Sequence, residues 1–361
     1  MTLPLAILRT GAVTSVGLDA PSTFAAMRGR LNNFFKTTMV DSKGECIPGC
    51  PVDFGEDAEP LDAIGKQIEM VVRSIRECCK ALPRAEPGSI PLLLCVSEVT
   101  RPGRPKNLEH LLVDGIHRAF GRIFAPDSSI FAYGQASAAF ALDACFKMQD
   151  KYPLILIAGV DSYLNFTTLQ TLHERGRILS SDNQDGFIPG EAACCLLIGR
   201  PDAIERIPPL YSNVKMPEQT PQIAKENLFC AGLGIYREAA VIGGTAPNRA
   251  VGLAEAIKTA LKSVQDQPDT IGLRISAQSS EDFYAKEFAM ACGRAGVSAT
   301  PLWCLSDSLG ETGAAAGLLS VAWAYASGHK DYIPASHALC LSASDEGERA
   351  AVVLGFGRYK P

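Results

Sequence analysis

Residues 175–199 read RGRILSSDNQDGFIPGEAACCLLIG, and this stretch decides the fold. Its polar part passes through Asp185 and Gly190 to Glu191, and an apolar run, residues 192–198, follows directly. A short apolar run bounded by turn residues is typical of a buried strand. We therefore expect a structured polar loop that enters a central strand.

The composition predicts a globular protein with a substantial core. The chain has 361 residues, of which 47% are hydrophobic and 20% are charged. This length fits two domains or one large fused unit. The net charge is −5 and no long run of like charges is present, so neither a nucleic acid nor a membrane surface is an expected partner.

The twelve cysteines predict free thiols rather than disulfides or a metal site. Most of them lie in apolar runs, where free cysteine behaves as a small hydrophobic residue. Cys46 and Cys50 have CxxxC spacing, but no second Cys or His pair is near enough to complete a zinc site. We expect no metal ion and no other cofactor.

The N-terminal sequence MTLPLAILRTG lacks the long apolar core of a signal peptide. No window of the chain reaches the roughly 18 apolar residues that a transmembrane helix needs. The sequence therefore predicts a cytoplasmic protein.

Strand-like and helix-like runs alternate along the chain, which favours an α/β architecture. A segment rich in proline and polar residues, 201–218, is the best candidate for a junction, so we expect an N-terminal half, 1–205, and a C-terminal half, 206–361. Each half contains a strand, a polar turn and a helix that opens with small residues, at 134–139 and at 310–317. This is the pattern of a duplicated fold whose halves have diverged.

Five segments resemble, in order and at similar spacing, motifs of the β-ketoacyl synthases (3-oxoacyl-[acyl-carrier-protein] synthases) of the thiolase superfamily. They are GAVTSVG at 11–17, TFAAMR at 23–28, GVDS at 159–162, DGFIPGE at 185–191 and SLGETGAAAG at 308–317. The resemblance covers nearly the whole chain. It implies the thiolase-like duplicated five-layer αβαβα fold.

The resemblance also indicates where catalytic residues should lie. A condensing enzyme needs a cysteine thiolate at a helix N-terminus and two histidines that assist decarboxylation of the extender unit. The cysteine position falls on Gln135, the second histidine on Glu311, and Gln278 is the nearest equivalent of the first. The family's lysine falls on Ser306, and its glycine-rich gate falls around Asp345, and both positions are candidates for substrate binding.

These replacements leave several roles open. Gln135 cannot form a thioester, so it either has a functional role, such as filling the pocket or mimicking an acylated state, or is a polar residue without a catalytic role. Glu311 is either a general base or the cap of the following helix, and we favour the cap. Asp185, Gly190 and Glu191 are interpreted as structural residues that tie the loop to the strand. Cys145 is interpreted as core.

The sequence leaves three functional hypotheses. The first is a non-condensing partner subunit in fatty-acid or polyketide-type biosynthesis, similar to the chain-length factors, which also place glutamine in the cysteine position. The second is an active synthase or acyltransferase with non-standard catalytic residues. The third is an acyl-binding carrier or sensor.

The partners implied by the resemblance are an acyl carrier protein or acyl thioester and a second subunit, in a homodimer or in a heterodimer with an active synthase. An enzyme needs a basic rim to receive the carrier's phosphopantetheine arm. Arg101, Arg104 and Lys106 are the clustered candidates for this rim.

Overall fold

The computed structural model describes residues 4–80, 88–121, 123–206, 227–264, 268–334 and 336–357. The elements before residue 200 are β1 (Leu5–Val13), α1 (Ala20–Arg28), β2 (Phe35–Val40), β3 (Cys46–Gly49), α2 (Ala63–Cys79), β4 (Leu92–Cys95), α3 (Leu108–Phe120), β5 (Ser129–Phe131), α4 (Ser137–Met148), β6 (Leu154–Ser162), α5 (Phe166–Glu174) and β7 (Glu191–Gly199). Those after it are β8 (Asn227–Arg237), α6 (Val251–Leu261), β9 (Ile271–Ser276), α7 (Asp282–Ala295), β10 (Leu302–Cys304), α8 (Ser306–Leu309), α9 (Ala316–His329), β11 (His337–Ala343) and β12 (Glu348–Gly357).

The strand topology shows the duplication directly. Ten strands form one sheet in the order β10-β9-β11-β12-β8-β1-β7-β6-β4-β5. Numbered within its own half, each set of five follows the order 3-2-4-5-1, and the parallel and antiparallel pairings are the same in both sets. The two sets meet where β1 pairs antiparallel with β8, over Leu5–Ile7 and Leu228–Cys230.

The helices complete five layers. The largest cluster of buried side chains joins α4 and α9 to strands of both halves, so these two helices form the central layer. A second cluster packs α2 and α3 on the other face of the first half, and a third packs α6 and α7 on the second half. Strand β1 shows why: Leu5 and Ile7 face the central layer, whereas Ala6 and Leu8 face α2. The duplicated αβαβα fold expected from the sequence is confirmed.

The two central helices differ from the outer ones in composition. Helix α9, AGLLSVAWAYASGH, is apolar around its whole circumference and is buried at every residue from Ala316 to Gly328. Helix α2 carries apolar residues on one face only and is capped by Asp62, whose side chain accepts from the Gly65 N–H at 2.6 Å. Composition thus decides which layer each helix occupies.

Some local predictions were incomplete. The sequence predicted neither strand β8 nor the β2–β3 hairpin nor helix α5. Helix α1 is capped by Asp19, whose side chain accepts from the Ser22 N–H at 2.7 Å. Most of the predicted junction at 201–218 lies outside the described residues, so the boundary between 1–205 and 206–361 stays a prediction. No helix in the described part of the chain has the length and apolar character needed to cross a membrane.

Candidate functional site

Two matching turns lie at the N-termini of the central helices. Gly134–Ala136 precedes α4 and Gly313–Ala315 precedes α9, each as one turn of 3-10 helix. The first glycine of each turn has a φ of +52°, a conformation that favours glycine. A Cβ atom on that glycine would overlap the Glu98 carboxylate in the first turn and the Asp161 carboxylate in the second. Both turns therefore depend on glycine for conformation and for space.

The two turns bring Gln135 and Glu311 into contact. Gln135 is 5% exposed and Glu311 is 3% exposed. The Gln135 side chain acts on the Glu311 carboxyl as a hydrogen-bonding neighbour that lowers its pKa, and Glu311 Oε1 accepts from the Gly313 N–H at 2.8 Å. The residues in the cysteine position and in the second histidine position are thus direct neighbours.

The Glu311 carboxyl titrates far from its ordinary range. Burial raises its pKa from 4.5 to about 7, and the hydrogen bonds from Gln135 and the Gly313 N–H oppose the shift without cancelling it. A carboxyl with this pKa is able both to accept and to donate a proton near neutral pH. The group therefore has the chemistry of a base as well as the contacts of a cap.

The 185–191 loop holds Glu311 in place. The Glu311 N–H donates to the Ile188 carbonyl at 2.8 Å, and the Gly190 N–H donates to the Glu311 carbonyl at 2.9 Å. A side chain on Gly190 would overlap the carbonyl of Leu309. The turn before α9 is therefore fixed to the loop through main-chain atoms.

The two acidic residues of this segment make different contacts. Glu191 is buried at the start of β7, where it accepts from the Val52 N–H at 2.9 Å and the Ser162 hydroxyl at 2.8 Å and pairs with Lys66. Asp185 is exposed and accepts from the Asp282 N–H at 2.7 Å, at the N-terminus of α7. The segment thus links the loop to its own strand and to a helix of the second half.

A buried group of charges beside the turns was not expected from the sequence. Arg101 pairs with Glu98, lies 3.6 Å from Asp161 and sits over the Tyr163 ring at 3.9 Å. Burial raises the pKa of Glu98 even though the Arg101 guanidinium opposes the shift. The hypothesis of a basic rim is therefore wrong for Arg101. It is also wrong for Arg104, whose side chain is 4% exposed and pairs with Glu109.

Asp345 belongs to a second group of charges. Burial acts to raise its pKa, but the Arg177 guanidinium, 2.9 Å away, holds it below the ordinary value. The Tyr284 hydroxyl donates to Asp345 at 2.5 Å, and Arg177 also pairs with Glu281. The gate position is thus bound to the 175–199 segment.

Gln278 and Ser306 lie elsewhere. Both line a cavity of about 490 Å³ between α7 and the β9–β10 edge of the sheet. Within the described residues, no hydrogen bond joins the Gln278 side chain to Gln135 or Glu311, and its amide has no partner at all. The structure therefore makes two of the three predicted catalytic positions neighbours, and among the described residues it shows no hydrogen bond from either of them to the third.

Neither Cys145 nor Ser137 offers an alternative nucleophile beside Gln135. Cys145, in the following helix, is fully buried, and burial raises the pKa of its thiol well above the ordinary value. Ser137 is engaged in the turn, where it donates to the Phe131 carbonyl at 3.0 Å and accepts from the Tyr133 N–H at 2.9 Å. Five well-formed cavities in the described part of the chain have neither Gln135 nor Glu311 in their linings.

No protein-family model matches the sequence, and no curated protein matches it either. Solved structures do match in fold. A type II polyketide ketosynthase in complex with its acyl-carrier protein, bound to the hexaketide, superimposes with a TM-score of 0.78 at 14% identity, over 98% of this chain and 99% of that chain.

Two further solved structures also match this chain in fold. A β-ketoacyl synthase from Burkholderia phymatum gives a TM-score of 0.75 at 15% identity, over 99% of this chain and 100% of that chain. The ishigamide ketosynthase/chain length factor gives 0.74 at 18% identity, over 100% of both chains. The protein therefore has the thiolase-like fold of the ketosynthases along its described length.

Proposed function

We propose that this protein is a non-condensing partner subunit of a ketosynthase, similar to a chain-length factor, in polyketide or fatty-acid-type biosynthesis. The observation that carries the proposal is the contact between Gln135 and Glu311. An amide has replaced the thiol that a condensing enzyme acylates, and a carboxyl holds that amide in the place of a histidine. A carboxamide forms no thioester, so covalent loading of an acyl chain has no acceptor at this position.

Burial supports the same proposal. Gln135 and Glu311 are 5% and 3% exposed, so an acyl thioester would have to displace packed side chains to reach them. Gln135 and Glu311 act on each other as polar neighbours without a ligand. A partner subunit requires a stable core at this position rather than an open one.

The proposed partners are an active ketosynthase and an acyl carrier protein. The similar solved structures include a ketosynthase/chain length factor and a ketosynthase with its acyl-carrier protein. In this chain β5 is an edge strand with a neighbour on one side only, and Ile130 within it and Tyr133 just after it are 39% and 36% exposed. An apolar strand edge of this kind suits pairing with a second subunit.

The test uses the purified full chain with malonyl and acetyl thioesters of phosphopantetheine. Intact-mass spectrometry should show no acyl adduct, and a carbon dioxide assay should show no decarboxylation above the rate without protein. A stable adduct on any cysteine, or decarboxylation abolished by Glu311→Ala, would overturn the proposal. The variant Glu59→Ala, at an exposed position remote from the turns, is the matched control.

One observation favours a second candidate, an active acyl-transfer enzyme with Glu311 as its base. The pKa of about 7 suits proton transfer at neutral pH. Under this hypothesis decarboxylation of the malonyl thioester depends on an ionisable group of pKa near 7 and disappears in Glu311→Gln. A carrier or sensor role is less well supported, because neither Gln135 nor Glu311 lines any of these five cavities.

A further inference from the structure

The cavity beneath α7 is lined by both apolar and polar side chains. Its volume of about 490 Å³ lies within the range of small-molecule sites. The lining includes the apolar residues Phe288, Ala285 and Ala289 of α7 and the polar residues Arg274 and Gln278, on β9 and just after it. Neither Gln135 nor Glu311 lines this cavity, so a ligand site here does not depend on the proposed function.

Arg274 is a buried cation without a carboxylate beside it. Arg274 is 8% exposed, and its guanidinium lies 5.4 Å from the centre of the Phe288 ring. Its hydrogen bonds to oxygen atoms go to main-chain carbonyl groups, at 3.0 Å to Ser298 and at 2.5 Å to Thr300. Among the described residues no acidic side chain lies within ion-pair distance of it. Carbonyl groups satisfy the N–H donors but leave the positive charge uncompensated.

Gln278 is a second polar residue of the cavity lining, and its side chain lacks a hydrogen-bond partner. It is 5% exposed, and neither the nitrogen nor the oxygen of its amide has a hydrogen-bond partner. A buried amide in this state is less stable than one that is bonded. Its N–H groups are donors that a ligand oxygen would satisfy.

We propose that this cavity binds a small molecule that joins a carboxylate to an apolar chain. The carboxylate lies towards Arg274 and accepts from the Gln278 amide, and the chain packs against Phe288. Asp307 also lines the cavity and favours a cationic ligand instead. Asp307 is exposed, however, so water screens its charge far more than it screens the buried Arg274.

The first experiment measures the preference for charge. The purified full chain is titrated by calorimetry with sodium hexanoate, hexanamide and hexylamine at the same ionic strength. Hexanoate should bind about tenfold more tightly than hexanamide, because a charge-assisted hydrogen bond replaces a neutral one, and hexylamine should bind most weakly. Equal or tighter binding of hexanamide or hexylamine would overturn the proposal.

The second experiment locates the site on the molecule. Ala289→Trp fills the cavity from an exposed position of α7 and should abolish hexanoate binding. Met290→Trp, at the adjacent exposed position outside the lining, should bind hexanoate as the natural chain does. Gln278→Leu should weaken binding about tenfold. Unchanged affinity in Ala289→Trp, with the thermal midpoints of both tryptophan variants matched, would place the ligand elsewhere and overturn the proposal.

Discussion

The turn before α4 and the turn before α9 have the same backbone but different chemistry. Both start with a glycine at φ +52° that packs against a carboxylate, and both continue into a central helix. In the first turn the next residue is Gln135, whose side chain reaches the other turn. In the second the next residue is Ala314, which uses only its N–H, donated to Asp161 at 3.0 Å.

The two halves of the duplicated fold therefore contribute different positions to the site. The first half supplies a side chain from inside its turn, and the second supplies Glu311 from two residues before its glycine. The backbone is common to both halves, whereas the polar side chains are particular to each. Replacing the glycine that sets the backbone of each turn should thus affect the two turns alike. Replacing the polar side chains should affect them differently.

The largest effect is expected from Gly313→Ala and Gly134→Ala. Each variant adds a Cβ atom that overlaps a carboxylate and forces alanine to a positive φ, so we expect the free energy of unfolding to fall by about 3–5 kcal/mol in both. Urea denaturation at pH 7 measures this loss of free energy. Gly176→Ala is the control, since Gly176 has a φ of +65° but nothing within 4 Å of its Cβ position, and it should lose about 1–2 kcal/mol. Equal losses in all three would show that space is not limiting.

The next effect concerns the pH dependence of stability. Burial raises the pKa of Glu311 from 4.5 to about 7 in the folded state, so its contribution is fully present below pH 4.5 and is lost as the pH rises through 7. Glu311→Gln should therefore be more stable than the natural chain at pH 8, by up to about 3 kcal/mol, and should match it near pH 4.5.

Urea denaturation at a series of pH values checks this result. The free energy of unfolding of Glu311→Gln should still fall somewhat as the pH rises, because burial also raises the pKa of Glu77 to about 7. Glu59→Gln, at an exposed position, serves as the control and should follow the natural profile. An unchanged profile in Glu311→Gln would mean that the carboxyl is not the titrating group.

A smaller effect is expected when the side-chain contact itself is removed. Gln135→Leu deletes the donor to Glu311, so the free energy of unfolding at pH 8 should fall by about 1–2 kcal/mol, and by less at pH 5, where the carboxyl is protonated in the fold. Gln170→Leu is the matched control, because Gln170 donates to the Glu174 carboxylate at 3.0 Å on an exposed helix face. It should change stability by under about 0.5 kcal/mol. Similar losses in the two variants would show that the buried contact of Gln135 contributes no more to stability than the exposed hydrogen bond of Gln170.

The smallest effect tests the link between the 185–191 segment and the second half. Asp185→Ala removes the acceptor for the Asp282 N–H at the start of α7 and should cost about 1 kcal/mol in thermal or urea unfolding. Asp57→Ala, at an exposed position, should be close to neutral. A neutral result for Asp185→Ala would leave Glu191 as the only acidic anchor of the segment.

Much of the fold was predictable because buried strands of this architecture are apolar runs. The apolar run 192–198 predicted a buried strand, and it lies within β7, Glu191–Gly199, which is buried at every residue. Strand β8 escaped prediction because NLFCAGLGIYR contains two glycines, which weaken a strand pattern. The β2–β3 hairpin escaped because its residues are largely exposed and carry little hydrophobic signal.

The site was predictable only in part. The resemblance placed Gln135 and Glu311 at equivalent catalytic positions, but it did not indicate that an amide and a carboxyl would bond to each other. Arg101 was assigned to the surface because composition alone does not distinguish a buried arginine from an exposed one. Arg177 meets Glu281 and Asp345 at 104 and 168 positions along the chain, separations at which no sequence pattern reports contact.

Helix α9 has a consequence for synthesis of the protein. It packs against β1 and β7 of the first half as well as β11 and β12, and the Tyr325 hydroxyl donates to the Leu8 carbonyl at 2.9 Å. A ribosome releases the first half long before it has made residue 329. Until then the apolar face that α9 covers has no intramolecular partner, so the nascent chain is open to aggregation at this face and a chaperone would protect it there.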